Sequence, residues 1–481
     1  MKRKQAYILI LLATIASGFT ACGGTAPSSD TTAPTESATA APETGLAVNF
    51  TPELAEKLGL DGYDFHVFLR AASSAWSNPD IYVEDANGEV FNDAVFKRNQ
   101  YLSETYGISV SVSYSANTSG TELGTAILAG DDSYDAAFPM ARTAAGFAQE
   151  GALADFASLE YVNLNSPVWN KTFNDNLTIG GKLYYATGDV SVNAFQSTRC
   201  FLFNKDLIEK YKLESPYALV KSGKWTYDRL AEMSAAASAD LNGDSAMDES
   251  DQWGFIMQKS TAGLPLFFGS GENTTVMENG LPVISLGKER ANNVFERIKD
   301  MLSDENVYYI GEDAVIKQMY ADGKGLFYTG VINTTSDLRA SDIDFGLIPA
   351  PKYDASQEFY RAYADGWCIS PAVIPVSAKN VERSGFILQA MAEASAEIVR
   401  PAYYDIVLTG KNLRDEESAE MLDLLFANFT LDNCDVYSWS GVMTTISQTL
   451  GRQQDQALAT ILASTESALQ AAIDKTVEAL K

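Results

Sequence analysis

Residues 63–69, Tyr63-Asp64-Phe65-His66-Val67-Phe68-Leu69, open the pattern that decides the fold. The run reads as a buried strand, and a polar loop over residues 71–80 that carries Trp76 follows it. Residues 91–106 then have helical spacing and stop at Gly107, while Ile108 to Tyr114 alternates apolar and polar side chains as a half-buried strand does. A short helix over 123–128 and a strand at Tyr134-Asp135-Ala136-Ala137-Phe138 complete the series. Strand, helix, strand, helix, strand at this rhythm predicts an α/β fold with a parallel sheet and crossover helices. Open sheets of this kind bind ligands at the carboxyl ends of their strands. That places the Trp76 loop and the loop over 139–143, with Arg142, on one functional edge.

Upstream of the strand the chain has a different character. Met1-Lys2-Arg3-Lys4 is cationic, Ala6 to Ala16 is almost unbroken apolar sequence, and small residues lead to Ala21-Cys22-Gly23. This order predicts a secretory signal over 1–21 whose apolar run is too short to span a bilayer. A cysteine at the expected cut resembles the lipobox of bacterial lipoproteins, which implies acylation of Cys22, with Phe19 where that motif prefers Leu. Residues 23–45 are Gly, Ala, Ser, Thr and Pro with three acidic residues. They hold too little apolar surface to offset their ordering entropy, so residues 22–45 are expected to form a flexible leash. The expected location is the outer face of the cell membrane, extracellular and reached by a lipid anchor alone.

The formal charge of −28 becomes −31 on side chains once Lys2, Arg3 and Lys4 are removed. A polyanion of this strength repels phosphate backbones and argues against nucleic acid as a partner. With Cys22 acylated, Cys200, Cys368 and Cys434 allow one disulfide or none, and no CxxC pair suggests a zinc ribbon. The single histidine, His66, lies inside an apolar strand and reads as structural, which leaves little for a Ser-His-Asp triad. The body from Leu46 onward is long enough for two lobes, and a monomer is expected.

Further along come Gly181 to Ala186, Phe203-Asn204-Lys205-Asp206-Leu207, and a helix start at Lys224-Trp225-Thr226-Tyr227-Asp228 with Thr226 as its N-cap. Gly146 to Asp155, Asp240 to Phe255, Phe327-Tyr328-Thr329-Gly330, Phe345 to Pro351 and Gly451-Arg452-Gln453 add to the series. In their order and spacing these segments resemble extracellular solute-binding proteins of bacterial carbohydrate ABC importers, the maltose-binding-protein-like class in its lipoprotein form. The resemblance implies a two-lobed periplasmic-binding-protein-like (class II) fold, with a hinge and a cleft that closes around a ligand. It further implies chain crossings near Gly188, Tyr309 and Tyr363. Residues 46–188 with 310–362 would then form lobe 1, and residues 189–309 with 363–481 lobe 2. The chain has Val331-Ile332-Asn333 where maltose binders of the class offer a further Trp.

Sugars are held by aromatic faces against their C–H surface and by carboxylates, amides and Arg at their hydroxyls. The ligand-binding candidates are Trp76, Trp367 in Ala364-Asp365-Gly366-Trp367, and Trp439 in Asp435 to Gly441, with Arg142, Asp189 and Asp365 as polar partners. Each tryptophan is equally compatible with a core position and each charge with a surface or hinge ion pair. Trp225 and Trp253 read as packing residues of lobe 2. Separately, Asp240, Asn242, Asp244, Ala246 (through its carbonyl), Asp248 and Asp251 follow the oxygen rhythm of a structural calcium loop. Ser245 stands there at the position that usually needs Gly, and a solvated acidic loop is the alternative. The leading expectation is capture of a sugar for ABC permease subunits encoded separately, since no GxxxxGK[ST] phosphate loop occurs. A secreted glycoside-active enzyme, or the same fold binding a peptide or polyamine, remains open.

Overall fold

A computed structural model describes residues 50–261, 263–309, 311–409, 416–451 and 455–481. The signal segment, Cys22, the leash, and Arg452 and Gln453 lie outside the described residues. Strand β1 (Tyr63–Leu69) is the centre of a three-stranded sheet in the order β2-β1-β3, with β2 at Ile108–Tyr114 and β3 at Ala136–Phe138. Both pairings are parallel. Phe65, Val67 and Leu69 alternate into the interior with no exposed surface. The crossover helix Val90–Tyr106 buries Ala94, Val95, Leu102 and Tyr106, an i, i+4 stripe, and ends where Gly107 takes φ 73°. His66 bonds Ser113 Oγ at 2.8 Å across the strand pair, a structural role.

The second sheet runs β10-β4-β9-β5-β8. Its strands are β4 (Arg199–Asn204), β5 (Trp253–Met257), β8 (Val307–Tyr308), β9 (Gly325–Val331) and β10 (Phe345–Ile348), while β6 (Thr275–Glu278) and β7 (Leu281–Ile284) form a separate hairpin. β4 is antiparallel to both neighbours, whereas β5 is parallel to β8 and β9. Every residue of β4, β5 and β9 is buried, as strands covered on both faces require. Trp225 and Trp253 belong to this core, their indole N–H groups donating to the carbonyls of Pro349 (2.9 Å) and Asp248 (2.8 Å). Thr226 caps the helix Tyr227–Ala237 through Arg229 N.

Two buried cores organise the described residues, one around each sheet. The lobe boundaries expected from sequence need correction in two places. The resemblance places residues 310–362 with lobe 1, yet β9 and β10 are strands of the second sheet. The reason is that β8, the helix Asp313–Ala321 and β9 make one strand-helix-strand unit within that sheet, so the chain does not cross near Tyr309. The resemblance also places residues from Ala364 onward with lobe 2, yet Ile369, Val373, Ile374, Phe386, Leu388 and Met391 lie in the first core. Val373 and Ala372 bridge antiparallel to Ala137 and Ala186, which ties the returning chain to the first sheet. The chain changes core between Val190 and Val192, again between Tyr363 and Ala364, and a third time between Ala394 and Val399. Beyond Val399 most apolar side chains of the C-terminal helices join the second core.

Cys200, Cys368 and Cys434 are buried free thiols. Among the described residues no helix is long and apolar enough to cross a membrane.

Candidate functional site

Beside the first two chain crossings, around Trp76, Tyr363 and Trp367, a cleft of about 540 Å³ opens. Trp76 and Trp367 line it with Arg142. Tyr363, Asp365, Cys368, Arg199 and Asp435 line it too. The remaining lining is supplied by Gln258, Ser260 and Thr261 after β5, Asp313 at the start of the helix Asp313–Ala321 after β8, and Thr444, Ser447 and Gln448 on the helix Val442–Gly451. Leu264 and Met443 contribute apolar contact.

Trp76 sits in the loop leaving the carboxyl end of β1. Its carbonyl accepts from Asn193 Nδ2 (3.1 Å) and Ser370 Oγ (3.0 Å), one from each of these two crossings. Trp367 is 50% exposed, unusual for so large an apolar side chain. A rigid turn holds it. Asp365 Oδ1 accepts the backbone N–H groups of Trp367 (3.0 Å) and Cys368 (3.1 Å), and the buried Arg70 donates to the Trp367 carbonyl at 3.2 Å. The Arg142 guanidinium lies 5.9 Å from the Trp367 ring centroid and backs the indole by a cation–π contact.

Two guanidinium–carboxylate pairs hold the site together. Arg199, the first residue of β4, donates to Asp365 Oδ2 at 2.9 Å and to Gln258 Oε1 at 3.1 Å. Both partners are largely buried. Burial, the largest single influence, would raise the Asp365 pKa, but the Arg199 charge and hydrogen bond, with the bond to Cys368 and the Arg142 charge, together outweigh it and hold the carboxyl below its usual range. Arg199 itself is raised for the reciprocal reason: burial disfavours its charge and Asp365 more than compensates. Among the described residues its Nε has no partner although the side chain is buried, which leaves a donor without an acceptor beside the cleft. The second pair is Arg142 with Asp435, reinforced by Arg142 Nε to the Asp435 carbonyl (3.0 Å) and by the Tyr363 hydroxyl (3.1 Å). Here burial prevails over Arg142 and pushes the Asp435 carboxyl up.

Of the six ligand candidates read from sequence, Trp76, Arg142, Asp365 and Trp367 line the cleft. Asp189 and Trp439 do not. Asp189 is buried and paired with Arg400 at 2.9 Å; burial pushes its carboxyl up to about 6 against that partner. It braces the crossing. Trp439 is only 2% exposed, stacks on Tyr437 with centroids 5.1 Å apart, and donates its indole N–H to Thr476 Oγ1 at 2.8 Å. Ser438 and Ser440 take left-handed φ of 51° and 50° around it, so the turn aims the indole into the core. Sequence reasoning missed Arg199, Asp313, Asp435 and the polar stripe Thr444, Ser447, Gln448. The stripe was visible as a three-and-four spacing, and Arg199 as a lone charge heading an apolar strand.

In the acidic loop, the Asp240 carboxylate accepts from the N–H groups of Gly243 (2.6 Å) and Ser245 (2.9 Å), and that of Asp251 from Leu241 (2.8 Å) and Asp248 (2.9 Å). Ser245 adopts φ 67°, the turn that Gly usually makes. Among the described residues no three His, Cys, Asp or Glu side chains are placed to hold a metal ion. The loop is closed by its own hydrogen bonds.

The sequence profile described as bacterial extracellular solute-binding protein matches residues 98–398. None of the curated proteins compared with the chain matches it. Among solved structures, a cyclo/maltodextrin-binding protein complexed with maltotetraose is similar to this chain with a TM-score of 0.57 at 14% identity. The alignment covers 87% of this chain and 96% of that one, which extends the likeness in fold over nearly the whole of that protein.

Proposed function

Because the chain belongs to the bacterial extracellular solute-binding family, we propose that it captures a mono- or oligosaccharide in the cleft between its two cores and delivers it unchanged to the permease of an ABC importer. The observation that carries this reading is Trp367. A half-exposed indole, held by Arg70 and Asp365, lines a cleft with Trp76 and with many hydroxyl, amide and charged side chains. An aromatic plane with such an array around it suits the amphipathic ring of a sugar, whose C–H face stacks while its hydroxyls bond. The orphaned Arg199 Nε is a donor that a ligand hydroxyl can satisfy.

The reading needs no catalysis. Asp365 and Asp435 each sit against a guanidinium, an arrangement that supports hydroxyl recognition better than the freely titrating acid of a glycosidase. Ligand contacts to both cores drive closure, so affinity and the conformational signal share one source. Tethering through an acylated Cys22 completes the proposal and places capture at the outer face of the membrane. Thermal-shift screening against sugars, run beside a reducing-sugar assay, tests the function: stabilisation without turnover is expected, and turnover would overturn it. Mass spectrometry of the mature N-terminus tests the anchor, with an S-diacylglyceryl cysteine, with or without a third acyl chain on its amine, expected and a free thiol contradicting it.

A further inference from the structure

Two arginines in a cleft ordinarily suggest an anionic ligand, because guanidinium forks match carboxylates and phosphates. Here that expectation fails on geometry. Arg142 is engaged by Asp435 and Arg199 by Asp365, and both carboxylates are almost wholly buried. Drawing either arginine toward a ligand anion would strand a buried carboxylate, a strongly unfavourable exchange. The other charged side chain lining the cleft is Asp313, which is half-buried and accepts the Ser260 hydroxyl. Among the described residues no lysine or arginine forms an ion pair with it. Of the charged side chains that line the cleft, two are guanidiniums and three are carboxylates; the buried Arg70 lies behind Trp367 and Asp365 and outside the lining, so Asp313 is the lining charge left without an ion-pair partner, and it lies beside Ser260. The chain's net charge of −28 adds a long-range field of the same sign.

We infer that the cleft selects neutral saccharides over acidic ones, and that Asp313 is the residue that sets this selection. The inference rests on the sugar-binding reading above and narrows its cargo. A uronic-acid carboxylate placed among the hydroxyl and amide side chains of that wall would meet Asp313 without a free cation to balance it. The repulsion across a partly solvated gap of several ångströms corresponds to roughly tenfold or more in affinity, and salt weakens it. The arginines still contribute, as donors to hydroxyls held in place by their carboxylate partners.

The test is calorimetric titration of the whole mature chain with neutral trisaccharides and uronic-acid trisaccharides of matched linkage. Suitable pairs are α-1,4-linked galactose against galacturonate and β-1,4-linked glucose against glucuronate. Wild-type protein is expected to bind the acidic member at least about tenfold more weakly, and the gap is expected to narrow as sodium chloride rises from about 20 to about 500 mM. Asp313→Asn should bring the pair to within about threefold. Equal or tighter binding of an acidic trisaccharide by wild type overturns the inference while leaving sugar binding intact, and so does a gap unmoved by Asp313→Asn. Binding of a polyamine or peptide with no saccharide bound at all overturns the functional reading as well. The salt series needs no variant and tests charge selection by itself, and Asp313→Ser, which also removes the charge, tests the assignment to Asp313 where Asp313→Asn impairs folding: a gap unmoved by it overturns that assignment.

Discussion

Two tryptophan turns, each led by an aspartate, do opposite things in this molecule. Asp365-Gly366-Trp367 presents its indole to the cleft half-exposed, while Asp435 to Gly441 folds Trp439 into the core. In the first, the aspartate caps the backbone N–H groups of Trp367 and Cys368, and Arg70 pins the carbonyl, so the turn is rigid and the ring stays outside. In the second, two left-handed serines swing the chain inward and Thr476 offers the indole N–H an acceptor 37 residues away. The lesson is that burial of an indole is decided by where its polar atom finds a partner, and that partner can be remote in sequence.

The largest effect that could break this contrast is on stability. Trp439→Ala should destabilise the chain by about 3–5 kcal/mol through lost packing, read by urea unfolding. A loss below about 1 kcal/mol would mean the indole is not a core element. Trp367→Ala should do the reverse, leaving the unfolding midpoint close to wild type while weakening sugar affinity by about 2 kcal/mol or more, roughly thirtyfold. Thr476→Val isolates the anchor of the buried ring and should cost about 1 kcal/mol.

The two aspartates sharpen the comparison through pH. Asp365 is held below its ordinary pKa of 3.8, so its contribution is present above that value and is lost as pH falls through its depressed pKa. Asp435 is raised above 3.8, so its contribution is present below 3.8 and is lost as pH rises through its elevated pKa. The stability penalty of Asp365→Asn should therefore grow with rising pH in the region at and below 3.8, and that of Asp435→Asn should shrink with rising pH above it. Denaturant titrations at a series of pH values check the opposite signs, and parallel slopes would contradict the assignment. The smallest effect concerns the acidic loop. Since its carboxylates accept the loop's own N–H groups, millimolar calcium should move the melting temperature by less than about 1 °C.

Much of the fold was legible because periodicity is a local signal. The strand, the crossover helix stopped by Gly107 and the second strand follow from spacing alone. Lobe membership was not legible, because the fully buried run of β9 looks the same whichever sheet receives it. Within the site, Trp76, Arg142, Asp365 and Trp367 could be read since they follow strand ends or sit in a polar turn. Arg199 and Asp435 could not, since a charge within buried sequence reveals itself only once its counter-ion is known. Trp439 misled for the same reason: its partner is on the C-terminal helix Leu458–Ala479.

Native mass spectrometry of the chain purified from its own cells, wild type beside Trp367→Ala, tests the central claim most directly. The expected spectrum shows wild type carrying a mass increment of a neutral pentose- or hexose-built saccharide, with occupancy lost in the variant. A peptide, polyamine or anionic increment, or a saccharide retained in full by Trp367→Ala, would contradict it.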